Sequence, residues 1–160
     1  MKISIQPIQA QHNNKICEII KSVGAEYGAV GDGFGPSDPE VEAMSDFYNA
    51  QNNSQYFVVM VNEQIVGGAG IAAFNDSKQV CELRKLFLLS TTRGLGLGKK
   101  LTQTCLDYAK DSGYSECYLD TLSNMKAAIA LYEKMGFEHL DKPLQGTIHG
   151  GCDIWMLKSL

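Results

Sequence analysis

The chain has 160 residues, of which 44% are hydrophobic and 20% charged, which is the balance of a single folded domain. Its net charge of −4 argues against a general nucleic-acid binder or a binder of anionic membranes, because both need a basic surface. No apolar run approaches the ~18–20 residues of a membrane span, and polar residues interrupt positions 1–7 too early for a signal peptide. We therefore expect one cytoplasmic domain over residues 1–160, with no membrane or nucleic-acid partner.

The cysteines do not indicate a disulfide framework or a metal site. There are five of them, an odd number, and none forms a Cys-x-x-Cys pair. Most lie in stretches of apolar periodicity, so we interpret them as reduced, buried thiols. His149 and Cys152 could form a pair of metal ligands, but two ligands without a third nearby are insufficient, and we predict no metal.

Hydrophobic periodicity predicts an α/β fold with about seven strands and four helices. β-Branched, aromatic or alternating runs mark the strands, and apolar residues at i, i+3, i+4 and i+7 mark the helices. The predicted order is β-α-α-β-β-β-α-β-α-β-β, in a mixed, mostly antiparallel sheet. The predicted strands cover 3–8, 56–61, 65–74, 80–89, 114–120, 137–140 and 153–157. The first helix carries Ile16, Ile19, Ile20 and Val23, and the second runs from Pro39 to about 51–53 with Asp38 as its N-cap. The third helix carries Leu97, Leu101, Cys105 and Ala109, and the fourth covers 124–135.

Three glycines lie inside the predicted strand 65–74, namely Gly67, Gly68 and Gly70. Glycine weakens a strand unless another group must approach the backbone closely. We therefore expect a bulky neighbour against this part of the sheet.

The most informative segment is the strand-to-helix junction over 86–100, LFLLSTTRGLGLGKK. The first amides of a helix lack intrahelical partners and lie at the positive end of its dipole, so phosphate oxygens bind there. Gly94, Gly96 and Gly98 allow a phosphate to reach those amides, and Arg93 and Lys99 add positive charge. The segment therefore predicts a pyrophosphate-binding loop.

Two common phosphate motifs do not fit this loop. A P-loop would need glycine at position 93 and serine or threonine at position 100, where the chain has Arg93 and Lys100. A dinucleotide-binding fingerprint starting at Gly94 would need glycine at position 99, which is Lys99. A glycine-rich structural turn without a ligand remains as an alternative.

The pattern Arg93-x-x-Gly96-x-Gly98 resembles the (Gln/Arg)-x-x-Gly-x-(Gly/Ala) motif of the GNAT superfamily of N-acetyltransferases, which holds the pyrophosphate of acetyl-CoA. The segment 81–88, CELRKLFL, looks like the family's fourth strand, and 128–137, AIALYEKMGF, looks like its final helix. The likeness is specific from Glu82 to Phe137 and only topological before Gln55. It implies a GNAT-like fold and transfer of an acetyl group from acetyl-CoA to a primary amine.

The resemblance also implies a catalytic pair. Glu82, on the strand face shared with Arg84, would be the base that removes a proton from the amine through a water molecule. The alternative for Glu82 is a structural ion pair with Arg84. Tyr132 matches the family's general acid, although tyrosine at an apolar helical position is more often part of the core.

The implied cofactor contacts lie along one continuous stretch and at one further position. Asn124 lies one residue before the place where many members carry asparagine, here Met125, so it would either contact the cofactor or cap the following helix. The other implied contacts are Phe87 and Leu88 beside the pantetheine. They are followed at the pyrophosphate by Arg93, Gly94, Leu95, Gly96, Leu97, Gly98 and Lys99.

Two other features concern the acceptor. The loop 141–151 would lie beside the acceptor, which would bring His149 near the substrate. An acidic cluster is either a solvated face or a surface that attracts a cationic amine. It comprises Asp32, Asp38, Glu40, Glu42 and Asp46.

Other functions remain open at this stage. A catalytically silent acetyl-CoA-binding module would need the phosphate loop but neither Glu82 nor Tyr132. A different nucleotide-dependent enzyme, such as a kinase, is disfavoured by the two failed motifs. The identity of the acceptor and the choice between monomer and homodimer are also open, because a fold does not fix a substrate.

Overall fold

The computed structural model describes residues 1–160 as one seven-stranded sheet covered by helices. No helix in it combines the length and the apolar character needed to cross a membrane. Every predicted strand and helix has a counterpart. The elements are β1 (Ile3–Pro7), α1 (Asn13–Glu26), a 3₁₀ helix (Pro39–Asp46), β2 (Gln55–Val61), β3 (Gln64–Ala73), β4 (Val80–Leu88), α2 (Leu97–Asp111), β5 (Glu116–Thr121), α3 (Lys126–Lys134), β6 (Glu138–Leu140) and β7 (Ile154–Ser159).

The second of the four predicted helices is the 3₁₀ helix Pro39–Asp46, which a non-helical residue, Ala43, interrupts. Asp38 occupies the N-cap position, but its side chain makes no capping hydrogen bond. It bonds instead to Lys85 of β4 and to His149. Tertiary contacts therefore engage the side chain that the sequence predicts as the helix cap.

The sheet has the order β1-β2-β3-β4-β5-β7-β6. All neighbouring strands are antiparallel except β4 and β5, which are parallel. This parallel pair is hydrogen-bonded in register only from Val80 to Glu82 on β4 and from Glu116 to Tyr118 on β5. Beyond those residues the two strands separate, which opens a cleft through the middle of the sheet.

A bulge distorts β4 where the cleft begins. The pairing of β3 with β4 shifts between Gly68 and Gly70, and Lys85, opposite the shift, has a φ of 52°. The Tyr56 hydroxyl donates a hydrogen bond of 2.8 Å to the carbonyl of Lys85. A Cβ atom on Gly68 would lie 2.5 Å from the Tyr56 ring, so the close approach predicted for the strand glycines is confirmed.

Two hydrophobic cores lie on the two faces of the sheet. One is formed with α1 and includes Ile16 and Ile20, and the other is formed with α2 and includes Leu101 and Cys105. All four of these side chains are completely buried. The helix periodicity of the sequence therefore identifies the core-facing residues correctly. The five cysteines are all free thiols.

Candidate active site

The cleft between β4 and β5 is lined mainly by β4 from Glu82 to Phe87 and by β5 from Leu119 to Thr121. A more open groove continues from it along Leu86–Leu88 to the loop after β4 and to α3. Tyr27 and Met125 line both spaces. The cleft and the groove therefore form one path that joins the glycine-rich loop to the centre of the sheet.

The glycine-rich loop has the backbone that a phosphate site needs. Gly94 and Gly96 have φ angles of 87° and 75°, values that residues with a Cβ atom rarely adopt. α2 begins directly afterwards at Leu97, whose side chain is buried, whereas Leu95 is 41% exposed. Because leucine side chains carry no polar atoms, the backbone amides are the groups that this stretch offers to a ligand.

The predicted cationic residues are both present at the loop. Lys99 is exposed in the first turn of α2 and lines the groove. Arg93 lines the same groove, and its guanidinium lies 5.6 Å from the centre of the Tyr27 ring. Arg93 and Lys99 therefore place positive charges at the end of the groove beside the start of α2.

Phe87 and Leu88, the residues predicted to contact a pantetheine chain, line the groove next to the loop. Asn124 does not cap the following helix, which was one of the two roles predicted for it. The N-cap residue of α3 is Met125, and the Asn124 side chain donates a hydrogen bond of 2.8 Å to the carbonyl of Tyr27. Met125, and not Asn124, lines the groove, so Asn124 instead ties the start of α3 to the end of α1.

Glu82 is buried at the narrow end of the cleft, and its carboxylate accepts a hydrogen bond of 2.8 Å from Arg84. Arg84 also lies 3.5 Å from a carboxylate oxygen of Glu40. Burial raises the pKa of Glu82, and the positive charge of Arg84 offsets only part of that rise. Glu82 is therefore a buried carboxylate whose proton affinity is increased, which suits a proton acceptor.

His149, which the sequence predicts near the substrate, has partners that the sequence did not identify. It lies in the loop between β6 and β7 and is 6% exposed. Its Nδ1 is 2.9 Å from Asp120 Oδ1 and its Nε2 is 2.8 Å from Asp38 Oδ2. Asp38 also accepts a hydrogen bond of 2.8 Å from the buried ammonium of Lys85. These contacts make one ion-pair network across β4, β5 and two loops.

The acidic cluster noted in the sequence divides between the ion-pair network and a solvated face. Asp38 and Glu40 turn inward to Lys85, at 2.8 and 3.3 Å. Glu42 instead forms an exposed pair with Lys21. Only part of the cluster is therefore a solvated face.

Three of these side chains have the spacing that a metal ion could use, because ligand atoms of Glu82, Asp120 and His149 lie within 4.8 Å of one another. Their atoms already have partners in the protein, namely Arg84, Thr147 and each other. We therefore assign the cluster to an ion-pair network.

Tyr132 of α3 lines the cleft and is 6% exposed. Its ring packs edge-on against Phe137, with 5.7 Å between ring centres. Burial raises the pKa of its hydroxyl, so Tyr132 is a neutral phenol at physiological pH. The ring of Tyr132 thus belongs to the core, while the residue also borders the cleft. Its position is therefore compatible with a role as general acid and with a role in the core.

A sheet that separates at one parallel strand pair, followed by a glycine-rich loop at the start of a helix, is the arrangement expected from the GNAT resemblance. The model of the Acetyltransferase (GNAT) family matches residues 26–137. The chain therefore belongs to the GNAT family, and it is an acetyltransferase.

Individual relatives agree with this assignment. The chain is 41% identical over 152 residues to the uncharacterized N-acetyltransferase YjgM of Escherichia coli, covering 94% of this chain and 90% of that protein. It is 37% identical over 101 residues to human N-acetyltransferase 8, covering 59% of this chain and 44% of that protein.

Solved structures share the fold at low sequence identity. A GNAT-family acetyltransferase from Staphylococcus aureus matches with a TM-score of 0.87 at 21% identity, over 99% of both chains. The PaiA N-acetyltransferase of Thermoplasma acidophilum, solved in complex with coenzyme A, matches with a TM-score of 0.75 at 18% identity, over 100% of both chains.

Proposed function

We propose that this protein transfers the acetyl group of acetyl-CoA directly to a primary amine in the cleft between β4 and β5. The observation that carries the proposal is the path from the glycine-rich loop to Glu82, lined on one side by β4. The loop would hold the pyrophosphate through the amides of 94–99, with Arg93 and Lys99 as counter-charges. Phe87 and Leu88 would contact the pantetheine, which leads the thioester towards the cleft.

The reaction needs a neutral amine. An alkylamine with an ordinary pKa near 10.4 is less than about 0.1% neutral at pH 7, which corresponds to a deficit of about 4–5 kcal/mol. Glu82 is the proposed base, acting through a water molecule, because it is a buried carboxylate at the narrow end of the cleft. Glu82 takes one proton from the ammonium group through the water molecule, and the neutral nitrogen then forms its bond to the thioester carbon. The nitrogen loses its second proton to solvent as the amide forms.

The carbonyl oxygen becomes negatively charged in this step. Backbone amides of β4 in the separated region beyond Glu82 are the proposed donors to that oxygen. The carbon–sulfur bond then breaks, and Tyr132 is the proposed acid that protonates the departing thiolate. As a neutral phenol bordering the cleft, Tyr132 carries the proton that this step requires.

The acceptor amine has its own opening in this scheme. Glu82 and Arg84 border a second pocket between the turn 73–76 and the residues 146–148, on a route separate from the glycine-rich loop. An acceptor entering there would meet Glu82 without passing the cofactor. The arrangement supports a mechanism in which both substrates are bound together and the amine attacks the thioester directly.

The decisive experiment is an acetyl-CoA-dependent screen of primary amines, including polyamines, amino acids, peptide N-termini, lysine side chains and aminoglycosides, with thiol release as the signal. We expect release that requires both acetyl-CoA and one class of amine. Tight binding of acetyl-CoA with no thiol release from any amine would identify the protein as a silent acetyl-CoA-binding module.

A further inference from the structure

His149 has no role in the mechanism above, yet it occupies the centre of the charged network. Both of its ring nitrogens lie within 2.9 Å of carboxylate oxygens, Nδ1 beside Asp120 and Nε2 beside Asp38. An ionised carboxylate only accepts hydrogen bonds, so each nitrogen must carry a hydrogen. With both carboxylates ionised, His149 is therefore an imidazolium cation.

This cation also faces the proposed base. His149 Nδ1 lies 3.6 Å from Glu82 Oε2, while Arg84 contacts the other oxygen of the same carboxylate at 2.8 Å. Glu82 therefore lies between two cations. Arg84 divides its charge between Glu82 and Glu40, so it does not neutralise Glu82 alone.

The charges of the whole cluster show why a third cation is needed. The charged groups that face one another here are the carboxylates of Asp38, Glu40, Glu82 and Asp120 and the cations of Arg84 and Lys85. Without His149, four negative charges would face two positive ones in a largely buried site. An uncompensated buried carboxylate takes up a proton, and the proposed base would then be lost.

His149 also holds two loops together across the cleft. It bonds to Asp38 in the loop before the 3₁₀ helix, and close by the amide of Gly151 donates a hydrogen bond of 3.0 Å to the carbonyl of Gly33. A purely structural role for His149 is therefore the competing explanation, and the test must separate the two.

We propose that His149 is a positioning residue whose imidazolium, fixed between Asp38 and Asp120, keeps the carboxylate of Glu82 ionised and oriented towards the cleft. The inference rests on the proposed function, in which Glu82 is the base. Burial lowers the pKa of His149, but its hydrogen bonds to Asp120 and Asp38 outweigh burial and raise the pKa to about 10. The cation therefore persists throughout the pH range in which Glu82 has to work.

The primary test needs no acceptor and uses the full chain. NMR titrations of protein labelled with ¹⁵N-histidine and ¹³C-glutamate report the protonation of His149 and of Glu82 directly. The chain has three histidines, and the variants His149→Gln and Glu82→Gln assign the two signals. We expect both nitrogens of His149 in the wild-type protein to remain protonated at pH 8. A neutral His149 ring at pH 7 overturns the proposal without recourse to any variant.

The variants measure the coupling between the two groups. Loss of the imidazolium in His149→Gln should raise the midpoint of the Glu82 titration by about 1 pH unit or more, the effect of removing a close opposite charge. By reciprocity, Glu82→Gln should lower the midpoint of His149 by a similar amount. His139→Gln is the matched control, because His139 is exposed and pairs only with Glu133. An unchanged Glu82 midpoint in folded His149→Gln would refute the proposal.

Once the amine screen has found an acceptor, the pH profile of kcat/KM provides the functional test. In His149→Gln we expect the acidic limb of the kcat/KM profile to shift to higher pH together with the Glu82 midpoint. The KM for acetyl-CoA should stay unchanged. A rate that is lower at every pH, with an unmoved limb, would show a structural role only. If Glu82→Gln itself keeps the wild-type pH profile, the proposed base is wrong, and that result is distinct from a failure of the His149 inference.

Discussion

The guanidinium of Arg93 and the carboxylate of Glu26 form two parallel contacts, with NH1 3.0 Å from Oε2 and NH2 3.3 Å from Oε1. NH2 also donates a hydrogen bond of 3.1 Å to the carbonyl of Leu88. Glu26, the last residue of α1, thus holds Arg93 of the glycine-rich loop in place. A carboxylate consequently lies at the site where the pyrophosphate of the cofactor is proposed to bind.

This relationship predicts that Glu26→Gln will bind CoA more tightly, by roughly 2–5-fold. An anion beside the phosphate loop repels the pyrophosphate, whereas the half-exposed ion pair itself contributes only about 0–1 kcal/mol to stability. Calorimetric titration with CoA at low and high salt measures the change, which should shrink as salt screens the charges. Glu18→Gln, on the same helix and paired only with Lys15, is the control. Weaker CoA binding would mean that Glu26 chiefly orients Arg93.

The second prediction concerns the glycine-rich loop. Gly96→Val should weaken CoA binding at least about 10-fold, because the valine strains the backbone whose amides are proposed to meet the phosphates. Gly113→Val is a matched control, since Gly96 and Gly113 have φ angles of 75° and 93° and a Cβ atom added to either would meet no heavy atom within 4 Å. Calorimetry and thermal unfolding should show similar destabilisation in both variants but lost CoA affinity in Gly96→Val alone. Equal CoA affinities would move the cofactor site elsewhere.

The third prediction concerns the base. Glu82→Gln should lower turnover at neutral pH by about 10²–10⁴-fold, the range for general base catalysis, with a much smaller effect on acetyl-CoA affinity. A higher pH supplies neutral amine and should recover part of the rate. Steady-state kinetics from pH 6 to 10 test this, with Glu116→Gln at the paired end of β5 as the control. Wild-type turnover at pH 7 would return Glu82 to the structural ion pair with Arg84.

The fourth prediction concerns the acid. Tyr132→Phe keeps the ring packed against Phe137 and removes only the hydroxyl, so stability and cofactor affinity should stay near normal. Turnover should fall by roughly 10²-fold, the low end for general acid catalysis, because water can replace the donor. The raised pKa of Tyr132 makes the phenol a weaker acid and supports the low end of that range. Tyr108→Phe, on α2 away from the cleft, is the control. An unchanged rate of acetyl transfer, when that step limits turnover, would exclude the role.

The fifth prediction links His149 to stability. Its pKa is raised from 6.5 to about 10 in the folded protein, so its proton stabilises the fold fully below pH 6.5. That contribution is lost as the pH rises from 6.5 through 10, where the folded protein also releases the proton. The difference in unfolding free energy between wild type and His149→Gln should therefore decrease over this window. Urea unfolding at a series of pH values measures it, and a difference independent of pH would contradict the assignment.

The sequence determined the local elements and the glycine-rich loop at which the cofactor is proposed to bind. Periodicity placed the core residues of α1 and α2, and the glycine-rich loop was recognisable because adjacent residues build it. Glu82 and Arg84 lie on one strand two residues apart, so their pairing could also be predicted from spacing. These features depend on hydrogen bonds and side-chain directions within a short stretch of chain.

The tertiary structure alone decided the rest of the site. Asp38, Asp120 and His149 are far apart in the chain, and nothing in their local sequence shows that the separation of β4 from β5 brings them together around Glu82. The same contacts engage the Asp38 side chain, which makes no capping hydrogen bond to the 3₁₀ helix that follows. Burial raises the pKa of Glu82, whereas the carboxylates of Asp120 and Asp38 raise the pKa of His149 against the effect of burial. Both shifts depend on neighbours that only the folded chain supplies.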